Sequence, residues 1–138
     1  MRDRLTKERR SWNMSRIRGK NTTPEIVIRR LLHRMGYRFG LHGKKLPGRP
    51  DIVLPKYRTV VFVHGCFWHR HRGCKNCTTP TNRRGWWVKK LEGNAARDRL
   101  SQAALRQMGW RSIIIWECET EKLKTLGRLT RHLTRVLG

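Results

Sequence analysis

Apolar residues along the chain follow two patterns: the three-to-four-residue spacing of helices and the short continuous runs of buried strands. The spacing predicts helices over 22–35, 86–108 and 123–137. The first begins at Thr22, a capping residue before Pro24, and ends before Gly36. The second could divide in two at Glu92-Gly93, because glycine weakens a helix interior.

Continuous apolar runs predict buried strands at 51–54, 59–64 and 111–116, and a looser alternation predicts another at 37–42. Residues 55–58 form the turn of a hairpin, and residues 70–84 form a loop rich in Gly, Thr, Pro and Arg. The order is helix, hairpin-like strands, helix, strand, helix. It predicts an α/β fold in which helices flank a small sheet.

The charge of the chain indicates its partner. Lys and Arg number 33 against 9 Asp and Glu, so the net charge of +24 favours a polyanion and excludes an ordinary metabolic enzyme of near-neutral surface. A hydrophobic content of 37% and six tryptophans exclude a disordered basic tail. With 138 residues, we expect one domain at 21–138, behind a basic arm at 1–20 that contacts DNA.

Two absences in the sequence suggest a cellular location. No apolar run is long enough to cross a bilayer, and no apolar signal region follows the first residues. We therefore expect a cytoplasmic, nucleoid-associated protein that is not secreted and does not bind membranes. In that compartment the cysteines, at 66, 74, 77 and 118, are expected to bind metal or to remain free thiols.

The acidic residues are unevenly distributed. Between Ile26 and Leu91 the only acid is Asp51, against sixteen Lys and Arg. It follows the stiff turn Pro47–Pro50 and begins a predicted strand. Such a carboxylate is either paired with a neighbouring base such as Arg49 or a ligand of a divalent cation at a phosphate-cleaving site. Charge alone does not separate these two readings.

Three histidines, His64, His69 and His71, follow the strand that should pair beside Asp51. Histidine titrates near neutral pH, so it can activate a water or protonate a leaving oxygen. The same segment carries Phe67-Trp68. An aromatic pair more often folds into a core, but the flanking His and Arg favour exposure to nucleic acid, where aromatic rings can wedge between bases.

The cysteines and their neighbours allow a zinc site, because zinc takes four ligands from Cys, His and sometimes Asp. The available residues are His71, Cys74, Cys77, Asp98 and Cys118. The alternative is that Cys66 and Cys118 are small buried apolar side chains and that Cys74 and Cys77 are free. The spacing leaves both open.

Five segments, in order and at fitting distances, resemble the very-short-patch-repair (Vsr) mismatch endonucleases over about residues 10–119. They are Leu46–Asp51 (LPGRPD), Val61–His69 (VFVHGCFWH), Asn94–Asp98 (NAARD), Gly109–Arg111 (GWR) and Trp116–Cys118 (WEC). The HGCFWH run is long and particular, so it carries most of the resemblance.

The resemblance implies a restriction-endonuclease-like fold with a small mixed sheet and a structural zinc site. It also implies a Mg²⁺-dependent nick 5′ to the T of a T:G mismatch, the lesion that deaminated 5-methylcytosine leaves in double-stranded DNA. In that reading Asp51 and the backbone carbonyl of Val63 bind Mg²⁺, and His69 is the general acid or base. His64 and Glu25 orient metal-bound waters. We expect the enzyme to be a monomer.

The resemblance also implies a structural Zn²⁺ and a set of DNA contacts. The implied zinc ligands are His71, Cys74, Asp98 and Cys118. The residues implied to wedge into the duplex beside the mismatch are Phe67, Trp68 and Trp87, helped by Met14 of the arm. Weaker candidates for base contacts are Lys90 and Asn94.

The chain departs from the family pattern in two places. It has one residue more before Cys74 than some members, so Cys77 could compete as a ligand. Paired Trp86-Trp87 leave open which ring inserts. Related nucleases of this fold carry an acid and a lysine on the second strand, whereas histidine stands there in the mismatch-repair branch and in this chain.

Two alternative functions remain at this point. One is a nuclease of the same fold without mismatch specificity. The other is a non-catalytic, zinc-stabilised nucleic-acid-binding protein. Asp51 together with His64 and His69 favours an enzyme, because a binding protein needs none of the three.

Overall fold

The helices and strands follow the predicted order along residues 22–138, the part of the chain that the computed structural model describes. The predicted arm at 1–20, with Met14, lies outside the described residues. The helices are α1 (Thr23–Arg34), α2 (Arg84–Gln107) and α3 (Leu123–Leu137). The strands are β1 (Gly40–Leu41), β2 (Ile52–Leu54), β3 (Thr59–His64) and β4 (Arg111–Trp116). Short 3-10 helices span Pro55–Tyr57 and Glu117–Thr120.

The four strands form one mixed sheet in the order β1-β2-β3-β4. The first three pair antiparallel, and β3 pairs parallel with β4. Ile52 pairs with Val61, so Asp51, one residue earlier, lies beside the end of β3. His64 pairs with Trp116, so β3 and β4 end together. The predicted catalytic residues therefore meet at one edge of the sheet.

Helices cover both faces of this sheet. On one face, α1 and α3 pack on β2, β3 and β4; on the other, α2 contributes Leu105 to a smaller cluster with Val60 and Phe62. Because both faces are covered, β3 is buried almost along its length, and this explains its continuous apolar run. The predicted restriction-endonuclease-like α/β fold has the same arrangement, with helices on both sides of a small mixed sheet.

The first helix begins as the sequence predicts. Thr22 caps α1 by accepting a hydrogen bond from the backbone N–H of Glu25 at 3.4 Å. Gly36 then adopts a φ of +89°, a conformation that glycine reaches without steric cost. The cap places Glu25 in the first turn, where it faces the sheet edge that carries Asp51.

Two predicted elements differ in extent. Helix α2 runs unbroken through Gly93, because buried Leu91 and Leu105 fix it on either side of the glycine. The strand predicted over 37–42 shrinks to Gly40–Leu41, because His42 leaves the extended conformation at a φ of 52°. None of the helices within residues 22–138 is long and apolar enough to cross a bilayer.

Candidate active site and metal cluster

Asp51 lies at the start of β2, with its carboxylate against the end of β3. Its Oδ2 accepts a hydrogen bond from the Val63 backbone N–H at 2.7 Å. It forms no ion pair with Arg49 or any other base in the described part of the chain. Burial, and to a smaller extent the nearby charge of Glu25, raise the pKa of Asp51 to about 6 despite that hydrogen bond.

Glu25, which was expected to orient metal-bound waters, is only 1% exposed. Its Oε2 accepts from the Arg29 guanidinium and from His42 Nε2, the latter at 2.9 Å. The structure therefore brings the buried Glu25 carboxylate and the half-buried Asp51 carboxylate to the same edge of the sheet. Carboxylates and backbone carbonyls are the ligands that Mg²⁺ prefers, so this donor set fits a hard divalent cation.

His64 and His69 lie in parallel contact, with ring centroids 3.9 Å apart and planes inclined by 6°. His64 ends β3 and is 4% exposed. Burial, and then the charge of His69, lower the pKa of His64 to about 3, so its ring is neutral at physiological pH. Its Nδ1 has no hydrogen-bond partner within residues 22–138.

His69 is oriented by Asp98, whose Oδ2 lies 2.6 Å from His69 Nδ1. A ring nitrogen bonded to a carboxylate carries the proton, so Nε2 is the nitrogen available for proton transfer. This contact changes one predicted assignment. Asp98, expected as a zinc ligand, lies instead with His64 and His69, because α2 turns its carboxylate toward the catalytic edge. We call Asp51, His64, His69 and Asp98 the catalytic cluster, after the role predicted for the first three.

Four other side chains converge close by, and we call them the thiol cluster: Cys66, His71, Cys74 and Cys118. Their ligand atoms all lie within 4.8 Å of one another. The sulfurs of Cys66 and Cys118 each lie 3.5 Å from His71 Nδ1. Tetrahedral zinc, with bonds of about 2.3 Å to sulfur and 2.0 Å to nitrogen, separates such ligands by about 3.5 Å. The thiol cluster could therefore hold a metal ion of this kind.

The ligand set differs from the expected one by a single residue. Cys66 occupies the place that was assigned to Asp98, and Cys77 lies outside the thiol cluster. Burial raises the pKa of the Cys66 thiol to about 12 and also raises that of Cys118. A thiolate formed among such closely packed thiols has no positive charge beside it. A bound cation would supply that charge and favour the thiolate form.

Trp116 joins the two clusters at the end of β4. Its ring stacks on His71 of the thiol cluster at 4.2 Å, with planes inclined by 7°. Its edge meets His64 of the catalytic cluster at 5.2 Å. Both clusters therefore depend on the same strand pairing, in which His64 lies opposite Trp116.

An aromatic cluster, consisting of Phe67, Trp68, Trp86 and Trp87, stands beside these sites. Phe67 meets Trp68 at 4.9 Å and Trp87 at 5.6 Å, in edge-to-face contacts. Trp86 packs on Trp87 at 4.9 Å and is 49% exposed, whereas the other three are half-buried. None belongs to the two core clusters of the described residues, so the pair Phe67-Trp68 does not fold into the interior.

The two weaker DNA candidates lie on α2, next to the aromatic cluster. Lys90 is half-buried. Asn94 donates from Nδ2 to the Trp68 carbonyl at 3.2 Å, and its oxygen accepts from Arg97. Asn94 therefore already holds the loop that carries Trp68.

Two residues of the site were not predicted. Cys66 was left out of the expected zinc ligands and considered only as an alternative, a small buried apolar side chain, although its position two residues beyond the end of β3 matches that of Cys118 beyond β4. His42 carried no signal, because nothing in its flanking residues distinguishes it from an ordinary loop histidine. Only the hairpin between β1 and β2 brings it to Glu25 and Asp51.

Known proteins with similar sequences indicate the family to which the chain belongs. The family model described as DNA mismatch endonuclease Vsr matches residues 2–76. The chain is similar to the type II nicking enzyme V.XorIIP of Xanthomonas oryzae pv. oryzae, at 51% identity over 99% of this chain and 98% of that protein. It is also similar to the DNA mismatch endonuclease Vsr of Escherichia coli K12, at 42% identity over 86% of this chain and 75% of that protein.

A solved structure agrees with the fold. The catalytic domain of the homing endonuclease I-Bth0305I matches with a TM-score of 0.55, covering 84% of this chain and 94% of that chain. The two share 17% sequence identity, so the likeness concerns the fold alone. It confirms the restriction-endonuclease-like architecture.

Proposed function

The chain belongs to the Vsr family of DNA mismatch endonucleases, and on that premise we propose that it nicks duplex DNA 5′ to the T of a T:G mismatch. It is a DNA endonuclease, and a net charge of +24 suits its substrate. The observation that carries the proposal is the convergence of Asp51, His64 and His69 at one sheet edge, with Asp98 behind His69.

Asp51 and the Val63 carbonyl would hold a catalytic Mg²⁺, with Glu25 and His64 orienting its waters. A bound Mg²⁺ supplies stabilisation of the negative charge that develops on the phosphate. What supports the site is the raised pKa of Asp51, which results chiefly from burial of its carboxylate. Because His64 is neutral at physiological pH, its ring adds no positive charge that would oppose a cation.

His69 would move the proton during hydrolysis. Its Nδ1–H bond to Asp98 leaves Nε2 to accept a proton from the attacking water or to give one to the leaving oxygen. Asp98 would fix the ring orientation and stabilise the ring when it becomes charged, as a carboxylate does behind a catalytic histidine. One such site suffices for a nick in one strand, in keeping with a monomer.

Mismatch recognition would fall to the aromatic cluster. A T:G pair stacks less well than a normal pair, so opening the duplex there costs less free energy. Phe67, Trp68 and Trp87 would wedge between the bases, helped by Met14 of the arm. Lys90 and Asn94 lie on the adjoining helix, where Asn94 also holds the Trp68 loop.

The thiol cluster would hold a structural Zn²⁺. Its separations of 3.5 Å between sulfur and nitrogen suit tetrahedral coordination, and four protein ligands leave no position open for substrate. The ion would tie the loop after β3 to the end of β4. This loop carries His69 and the aromatic pair, so the zinc would position catalytic residues without touching DNA.

The experiment that tests this function compares two labelled duplexes that differ only in one pair, T:G or T:A. We expect nicking of the T-containing strand of the T:G duplex, 5′ to the T, and only when Mg²⁺ is added. Mg²⁺ is omitted rather than chelated in the control, since a strong chelator would also strip the thiol cluster. Asp51→Asn should lose at least about a thousandfold in nicking rate while binding DNA as well as or better than the wild type.

Each alternative has its own outcome. Equal nicking of both duplexes would leave a nuclease of this fold without mismatch specificity. Binding without nicking of either duplex would leave a nucleic-acid-binding protein. Undiminished nicking by Asp51→Asn would remove the proposed catalytic site.

A further inference from the structure

We propose that His42 is a positioning residue, which holds Glu25 and the Asp51 backbone together so that both carboxylates are prepared for a divalent cation. The inference rests on the proposed cation role of Asp51. It concerns a side chain that takes no part in the catalytic cluster or in any element of regular structure.

The backbone of His42 is fixed directly opposite Asp51. Leu41 pairs with Ile52 at the end of the hairpin, and His42 continues that register by donating its N–H to the Asp51 carbonyl at 2.9 Å. Gly43 then donates to the Pro50 carbonyl, also at 2.9 Å. The chain on both sides of Asp51 is thus held by the segment that carries His42.

The φ of His42 is 52°, in the left-handed region where glycine is the favoured residue. A side chain at this position strains the backbone, and a glycine would relieve the strain without losing either backbone hydrogen bond. Any contact that the ring makes has to offset this strain.

The ring makes such a contact with Glu25. His42 Nε2 lies 2.9 Å from Glu25 Oε2, and the Arg29 guanidinium bonds the same oxygen. A ring nitrogen bonded to a carboxylate carries a proton, so the 3.3 Å approach of Arg29 Nη2 to Nε2 brings two donors onto one acceptor. Glu25 is held from two sides in a position that is 1% exposed.

The arrangement matters because two neighbouring carboxylates repel each other. Glu25 Oε2 contacts His42 Nε2 at 2.9 Å, and the His42 backbone N–H donates to the Asp51 carbonyl, also at 2.9 Å, so a single residue holds both acidic residues. His42 thus reduces the cost of keeping both acids in place before a cation arrives. Residues that orient metal ligands in this way typically change metal affinity by about 10- to 100-fold when mutated.

Three variants separate the ring from the backbone. His42→Gly removes the ring and keeps the left-handed backbone. His42→Gln restores an amide N–H at about the reach of Nε2 and serves as the conservative rescue. Arg58→Gly is the matched control: Arg58 also has a left-handed φ, of 47°, but it bonds Met108 at the far end of the sheet.

The measured quantity is the affinity of the DNA-free protein for Mn²⁺. Electron paramagnetic resonance determines it by quantifying the Mn²⁺ that remains unbound. We expect His42→Gly to weaken Mn²⁺ binding by about tenfold and to raise the Mg²⁺ concentration for half-maximal nicking by a similar factor. His42→Gln should recover most of the affinity. Arg58→Gly should bind Mn²⁺ like the wild type even if its melting temperature falls. DNA affinity measured without Mg²⁺ should be unchanged in all three.

Wild-type Mn²⁺ affinity in His42→Gly would overturn the inference, as would an equal loss in Arg58→Gly. Asp51→Asn, measured alongside, distinguishes a failure of the proposed cation site from a failure of the proposed role of His42. If it still binds Mn²⁺ and nicks DNA, the proposed catalytic site is wrong. If it loses both while His42→Gly loses neither, only the role of His42 is wrong.

Discussion

The thiol cluster and the catalytic cluster lie on either side of Trp116, yet they offer a cation different surroundings. The first has four soft or borderline donors, all within 4.8 Å of one another, and is complete without any other molecule. The second would offer a cation only Asp51, aided by the neighbouring Val63 carbonyl and by Glu25, which is already bonded to Arg29 and His42. A closed set of ligands is typical of a structural ion, and an incomplete set leaves positions for water and phosphate.

The difference also has an energetic side. A cation in the thiol cluster would link the loop after β3 to β4 and stabilise the fold. The catalytic cluster works against the fold, because burial raises the pKa of Asp51 and ionising it inside the protein costs free energy. The two neighbouring sites would thus affect the stability of the fold in opposite directions. This is expected where activity requires a group that is costly to keep charged in the folded protein, here the Asp51 carboxylate.

The largest effect should come from opening the thiol cluster. Cys118→Ser removes one ligand, so we expect loss of stoichiometric zinc, loss of nicking and a fall in unfolding free energy of more than about 4 kcal/mol. Elemental analysis and urea unfolding measure these changes. Cys77→Ser is the matched control, since Cys77 lies outside the cluster, and it should keep zinc and stability. A metal-free Cys118→Ser protein as stable as the wild type would contradict a structural ion.

A smaller effect, confined to the catalytic cluster, is expected from Asp98→Asn. The amide keeps the shape of the carboxylate but cannot stabilise a charged His69, so nicking should slow by about a hundredfold. His69→Ala should slow it at least as much. Both variants should retain one zinc per chain. Zinc loss in Asp98→Asn would return Asp98 to the ligand set that the family resemblance implied.

A third effect, on stability rather than on nicking, is a gain in stability from Asp51→Asn in Mg²⁺-free buffer. The pKa of Asp51 is about 6 in the folded protein against an ordinary value of 3.8, so the wild type loses stability relative to the variant as pH rises between these values. Above about pH 6 the deficit levels off at roughly 3 kcal/mol, because a tenfold change in proton affinity corresponds to about 1.4 kcal/mol. Urea unfolding at pH 4, 5, 6 and 8 measures it. A difference that does not change with pH would show that burial does not perturb Asp51.

Much of the fold could be predicted because its signals are local. The cap at Thr22, the apolar runs of β3 and β4 and the leucine spacing of α3 each specify an element without reference to the rest of the chain. The possible break of α2 at Gly93 was the local signal that failed. Packing of Leu91 and Leu105 outweighs the cost of about 1 kcal/mol that glycine has in a helix interior.

The site could be predicted less completely, because strand register decides it. His64 pairs with Trp116, so Cys66 and Cys118 follow at equal distances past the strand ends and meet. Spacing along the chain contains no such information, and Asp98 was therefore placed with the cysteines rather than with His69. His42 was not predicted for the same reason, since only the β1–β2 hairpin brings it to Glu25.

The parallel pairing of β3 with β4 has a consequence for biosynthesis. The last ligand of the thiol cluster and the strand that buries His64 both lie late in the chain, whereas Asp51 and His69 are made early. A ribosome-bound chain that ends before residue 111 has the catalytic residues but neither their supporting strand nor Cys118. Long-range pairing of this kind forms after local structure. A chain interrupted before residue 111 therefore lacks both the strand that covers His64 and the thiol that completes the thiol cluster.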